Sequence, residues 1–210
     1  MKKNGFLVVA CIMLLVSCGS NEIKEKDDKL SVSEIKTVAE KANNEVEKAK
    51  DRNAERRAKG DTLAMHYKDL QGYLPEIAGY TKNGGPKGDM VKMPDMGSWS
   101  QVQQNYTNGD KKISIKIIDY NGSPTGFSGI KGLYQLGAAS EDDERKAGTV
   151  DLGIKEVSAY ETVYKQRHDA RISLFITDRF LVDIESTGSN DMDILTPIAK
   201  GIAASGLAEK

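Results

Sequence analysis

Apolar positions in this chain recur first at helical and then at strand spacing, and the change of period divides it into parts. Ser31-Val32-Ser33-Glu34 has the spacing of a capping box, in which the serine hydroxyl and the glutamate carboxylate satisfy free amides at a helix start. From Glu34 to Lys59 there is no proline or glycine, and Ile35, Val38, Ala39, Ala42, Val46 and Ala49 make a narrow helical stripe. Beyond Ala49 only alanines continue it, so a coiled-coil seam of large residues is absent. Lys36/Glu40, Lys41/Glu45 and Glu55/Lys59 lie four apart and suit a solvated helix. The pattern predicts a charged helical stalk over 33–60 that spaces a globular part from whatever precedes it, with a partner-binding helix as the other reading. Gly60 ends it, and Asp61 is placed to cap a second helix carrying Leu63, His66, Tyr67 and Leu70 on one face before Leu74-Pro75.

Thereafter strand signals dominate. Asn83 to Asp89 reads as a long polar loop. Ser98 to Tyr106 and Lys111 to Tyr120 flank Asn108-Gly109, a strong hairpin signal, and Ile113, Ile115 and Ile117 alternate with Ser114, Lys116 and Ile118. A glycine-rich helix is expected over Thr125 to Ala139, with Phe127, Ile130, Leu133, Tyr134 and Leu136 near one face. Glu141 to Arg145 reads as a charged turn or edge. Four strands are expected over Lys146 to Leu152, Ile154 to Tyr164, Ala170 to Thr177 and Phe180 to Ser186, the last two turning at Asp178-Arg179. Asn190 would cap a terminal helix whose stripe is Ile194, Leu195, Ile198 and Ile202, with a kink or restart at Pro197. Consecutive hairpins require antiparallel pairing, so 61–210 is expected to be an α+β domain, an antiparallel sheet with helices on one face. This element order resembles the PsbP/Mog1-type architecture over roughly residues 62–210; it carries no motif residues and so implies a fold but no sites.

The N-terminus changes the picture most. Lys2 and Lys3 precede an uncharged apolar run from Phe6 to Val16, too short for a bilayer-spanning helix of about 20 apolar residues, and Leu15-Val16-Ser17-Cys18-Gly19 follows. These residues resemble a bacterial lipoprotein signal with its lipobox. Leu15 and Ser17 match the pattern, and Val16 departs from the usual small residue. The resemblance implies cleavage after residue 17, acylation of the Cys18 thiol, and a lipid-anchored envelope protein. Gly19, rather than aspartate, fits outer-membrane sorting. Residues 18–32 would be a flexible polar tether whose Glu22, Glu25, Asp27 and Asp28 resemble short surface-export signals. Cys11 would leave with the signal, so Cys18 has no disulfide partner.

Charge and motif searches then exclude more than they supply. The chain has 30 basic and 31 acidic residues, and losing 1–17 removes two lysines and no acid, so a basic footprint for nucleic acid is absent. The two histidines, His66 and His168, stand without CxxC or HExxH, so neither a metal nor a cofactor is expected; His66 reads as half-buried packing and His168 as part of a turn. Gly126-Phe127-Ser128-Gly129 lacks the spacing of a nucleophile elbow, and the loop around Lys87 lacks that of a phosphate loop. The acidic string Glu141 to Glu144 has no calcium-loop pattern. Asp61-Thr62-Leu63 resembles an O-glycosylation sequon at Thr62, although the capping role of Asp61 accounts for the same residues. Trp99, Tyr106, Tyr120 and Tyr134 would form a binding face wherever they point outward, and otherwise belong to the core.

The sequence thus leads to an anchored envelope lipoprotein with a non-catalytic domain that binds a protein or small-molecule partner. The alternative is an envelope hydrolase working through strand carboxylates such as Asp119, Asp151 and Asp183.

Overall fold

A computed structural model describes residues 44, 47–93, 97–136 and 139–210. Cys18, the signal segment, the tether and the first part of the stalk lie outside the described residues. Residues 47–58 form helix α1. A short helix α2 (Tyr67–Leu70) follows, then β1 (Thr81–Lys82), β2 (Lys87–Met93), β3 (Gly97–Asn108) and β4 (Lys111–Gly122). After helix α3 (Pro124–Leu136) come β5 (Ser140–Glu141), β6 (Arg145–Val150), β7 (Val157–Tyr164), β8 (Asp169–Ile176) and β9 (Phe180–Thr187), then helix α4 (Met192–Ala203).

The strands make one nine-stranded antiparallel sheet in the order β1-β3-β4-β9-β8-β7-β6-β5, with β2 also pairing β3. The class is α+β, as the hairpin pattern predicts. The β3–β4 hairpin forms one residue later than its Asn-Gly signal: Asn108 still pairs with Lys111, and Gly109-Asp110 is the loop. Gly109 takes φ +58, which glycine adopts without a Cβ clash. Lys87 to Asp89, expected in a loop, belong instead to edge strand β2. A second short edge strand, β5, arises at Ser140-Glu141.

Alternation sorts the side chains onto two faces. Ile113, Ile115 and Ile117 of β4, Ile172, Leu174 and Ile176 of β8, and Val182 and Ile184 of β9 are buried on one of them. Leu70 of α2 and Leu195, Ala199 and Ile202 of α4 pack there. Each buried Val, Leu or Ile side chain among these contributes about 1.5–3 kcal/mol on leaving water. Ile118, Phe175 and Leu181 point to the opposite face, where Phe127 of α3 is buried against them and Ile130 and Tyr134 pack alongside.

The helices therefore divide between the faces rather than sharing one. The cause is readable in apolar neighbours such as Ile117-Ile118 and Leu174-Phe175-Ile176, which place large residues on both sides of the central strands. Covering the second face falls to α3 because the chain must pass from β4 to the far edge at β5.

Local details depart from the sequence reading in three further places. Asp61 caps no helix: residues 61–66 are irregular, and His66 caps α2, its Nδ1 accepting from the Lys68 amide at 3.2 Å. That ring is exposed and lies 4.4 Å from the Tyr67 ring, so it is not core packing. Asp191, not Asn190, caps α4, accepting from the Asp193 amide at 2.9 Å. The helix then runs through Pro197, which supplies no N–H to the carbonyl one turn earlier.

Candidate functional site

Two constructions on this frame concentrate chemistry. The first lies where β4, the β8–β9 turn and the segment after α1 meet. Arg179 is 5% exposed and Asp119 is fully buried. Arg179 Nε donates to Asp119 Oδ1 at 3.0 Å and Nη2 to Oδ2 at 2.8 Å. The Arg179 Nη1 group donates to Asp61 Oδ2 at 3.1 Å and to the Lys210 carbonyl at 2.7 Å. Asp119 also accepts the amides of Met65 at 2.7 Å and Asn121 at 2.8 Å, so its lone pairs are well used.

Asn121 extends the network. Its Nδ2 donates to Asp61 Oδ1 at 2.6 Å and to the Leu63 carbonyl at 3.0 Å, while Oδ1 accepts from Arg56 Nε at 3.0 Å. Arg56 Nη2 reaches Asp178 Oδ2 at 3.1 Å, and Arg52 Nε reaches Asp178 Oδ1 at 2.6 Å. The described part of the expected stalk, α1, therefore lies against the domain instead of standing off it. Buried charges at this density persist only when paired and hydrogen-bonded, and these are.

The second construction is aromatic and lies under α3. Phe175 is its hub, with ring centroids 5.6 Å from Phe127, 5.1 Å from Tyr134 and 5.8 Å from Tyr160, all edge-to-face. Tyr134 and Tyr160 are 5.7 Å apart, and Tyr120 lies 6.1 Å from Phe127. Toward the β6 side the cluster opens into a cleft of about 260 Å³ lined by Leu133, Tyr134, Arg145, Ala147, Tyr160 and Thr162. Leu133 is 70% exposed. Behind it, Ser173 Oγ donates to Asp183 Oδ1 at 2.6 Å and sits 3.1 Å from the Tyr134 hydroxyl. Burial, and then the Asp183 charge, raise the Tyr134 phenol above its usual value against the opposing effects of Ser173 and Arg171. Tyr134 therefore stays a neutral phenol beside an apolar wall and the Arg145 guanidinium. Such a cleft can hold an apolar or aromatic group and a polar one together.

The carboxylates singled out in sequence do not converge. Asp119 is bound to Arg179 on the α4 side of the sheet, in line with Ile113, Ile115 and Ile117. Asp183 lies on the α3 side, where Arg171 Nη2 meets its Oδ2 at 2.8 Å. Asp151 is past the end of β6, not on a strand, and accepts the Gly153 amide at 2.8 Å within a turn.

The other candidates are dispersed too. Tyr106 is core, its hydroxyl donating to the Pro75 carbonyl at 2.7 Å, whereas Trp99, Tyr120 and Tyr134 border the α3-side cluster. Ser128 is exposed on α3, and Thr62 is exposed. His168 occupies the β7–β8 turn at φ +52. Asp142 in the acidic string accepts the amides of Glu144 and Arg145, which hold its carboxyl below the usual range. Among the described residues, no group of three or more His, Cys, Asp or Glu is placed to hold a metal ion.

Sequence reasoning missed Tyr160, Phe175, Arg52, Arg56 and Arg179. A signal existed for the last: Asp178-Arg179 interrupts an apolar run between Ile176 and Phe180, and charges so embedded stay only with partners.

No family model matches this chain, and no curated protein does. Among solved structures, it is similar to the extracellular domain of PknH from Mycobacterium tuberculosis, with a TM-score of 0.40 and 7% identity over 67% of this chain and 91% of that one. It is also similar to an uncharacterised protein from Mycobacterium smegmatis, with a TM-score of 0.33 and 6% identity over 66% of this chain and 95% of that one. At such scores the functional reading rests on the residues of this chain alone.

Proposed function

We propose that this chain is an envelope lipoprotein, anchored in the outer membrane through acylated Cys18, whose α+β domain binds a protein or small-molecule partner without catalysing a reaction. The observation that carries the binding reading is the Phe175-centred aromatic cluster, which reaches the surface at Leu133, Tyr134 and Tyr160 instead of being closed over by α3. A half-open aromatic cleft with a guanidinium at its rim is the composition of an interface anchor. The hydrolase alternative is weakened because Asp119 and Asp183 are each held by an arginine on opposite faces, far from the arrangement of a shared acid and base.

Both halves can be tested in intact cells. A photo-crosslinking residue at position 133 should capture a discrete partner, and the same residue at exposed Thr125 should not. Capture at both positions alike, or at neither, overturns the cleft as the binding surface. For the anchor, palmitate labelling should disappear, and the protein should leave the membrane fraction, in the Cys18→Ala variant. Persisting label would sink that part of the reading.

A further inference from the structure

The two lateral edges of the sheet are unequal. At one, the last strand is the two-residue β5; at the other, β3 is flanked by the two-residue β1 and by β2, which has seven. β2 pairs with β3 from Lys87↔Gln103 to Met93↔Gly97 without a register shift, so it is a regular strand about 23 Å long. An antiparallel strand sends the N–H and C=O of alternate residues to its neighbour and those of the others away from it. Among the described residues, no backbone group outside β3 meets the outward set of β2.

This edge is fixed in place and carries a definite pattern. On the Val102 side, Gly88 lies so close to α2 that a Cβ there would stand 2.8 Å from Tyr67 Cδ2. The ladder to β3 and that contact hold the strand, so an incoming segment pays little to order it. On the opposite face Val91 stands across from Trp99, and Met93, across from Gly97, is 41% exposed. Lys87 and Lys92 are exposed, one on each face, and among the described residues neither is in an ion pair. Asp89, the only acid of the strand, already accepts from Gln101 Nε2 at 3.1 Å. Edge lysines discourage indiscriminate pairing, yet they favour a segment that brings carboxylates opposite them.

We infer that β2 is a docking edge for an extended acidic segment of a partner protein, which joins the sheet as an antiparallel strand. The direction follows the sheet, in which every pair is antiparallel. Main-chain hydrogen bonds to the outward groups of β2 hold the segment, and its side chains decide which segment is taken. Acids opposite Lys92 and Lys87, with apolar residues opposite Met93 and Val91, give a readable pattern. From its N-terminus the segment runs apolar, acid, apolar, three unrestricted residues, acid. β2 and the aromatic cleft lie toward opposite edges of the sheet, so this surface does not depend on what occupies that cleft.

The probe is the synthetic peptide Val-Glu-Val-Thr-Thr-Thr-Glu, titrated into the full chain and followed by amide exchange. Binding should slow exchange at alternate residues of β2, those whose amides point away from β3. N-methylating one alternate set of the peptide's amides should abolish binding, and N-methylating the other set should leave it, because only one set faces β2. Lys92→Glu should weaken binding about fivefold, and replacing the first Glu of the peptide by Lys should restore it. No change at the β2 amides, equal effects of the two N-methylated peptides, or indifference to Lys92→Glu overturns the proposal. Protection of β2 that grows with protein concentration and needs no peptide also overturns it, by assigning the edge to a second copy of the chain.

Discussion

Arg179 and Asp119 meet through two parallel hydrogen bonds, at 3.0 and 2.8 Å, with neither side chain open to solvent. Removing one partner leaves the other as an uncompensated buried charge. Asp119→Ala or Arg179→Ala is therefore expected to cost about 3–5 kcal/mol, measured by urea unfolding. Arg179→Lys should not rescue, because an ammonium cannot reproduce the fork. Replacing both residues by apolar ones should recover only part of the loss, since the Met65 and Asn121 amides would lose their acceptor.

Asp178 gives a more local prediction. It accepts from Arg52 and Arg56, which are 30% and 14% exposed, so solvent screens the pairs only in part. Asp178→Asn should speed amide exchange across 47–58 while leaving β4, β8 and β9 near their original protection. An equal change throughout the sheet would show instead that α1 is integral to the global fold.

Alkaline pH should unfold the protein through its tyrosines. Burial, with a smaller effect from Glu76, pushes Tyr106 up to about 12, and burial followed by Asp183 raises Tyr120 and Tyr134. Between pH 10 and about 12 the unfolded chain releases these protons and the folded chain does not, so stability falls as pH rises through that window. Tyr106→Phe should flatten part of this limb in thermal melts across pH, at a cost of about 1 kcal/mol near neutrality for the lost bond to the Pro75 carbonyl. The reverse slope would exclude the buried phenol as its source.

Gly122 ends β4 opposite Ser98, and a Cβ there would lie 2.1 Å from Ser98 Oγ and 2.6 Å from its carbonyl oxygen. Gly122→Ala must push the β3 start away, and Ser98 Oγ is the acceptor for the Ala64 amide. A loss of about 1–3 kcal/mol is expected in equilibrium unfolding. Gly132→Ala, with open space around its Cβ on α3, should be neutral or slightly stabilising.

Much of the sheet was legible because local pattern and tertiary role agree there. The alternation of Ile113, Ile115 and Ile117 and the turn at Asp178-Arg179 place β4, β8 and β9 almost to the residue. The edges were not, since β2 and β5 are short or polar and owe their conformation to a neighbour's hydrogen bonds rather than to their own side chains. The ion network was invisible for a related reason. Asp119 meets Arg179 across a separation of 60 residues, and nothing local pairs them. The aromatic cleft falls between the two cases: Tyr134 stands on a helical face legible in the sequence, while Phe175 and Tyr160 need the strand register to bring them beneath it.

The docking of α1 has a mechanical consequence if Cys18 is the anchor. A load on the chain before α1 then need not pass the whole way to Gly60 before it meets the domain. A pull along that stretch arrives at the domain through Arg52 and Arg56 on Asp178, at the turn between two central strands, before any load reaches Gly60. Those ion pairs act as a strain relief. Releasing them would lengthen the reach by a helix while the sheet behind stays folded.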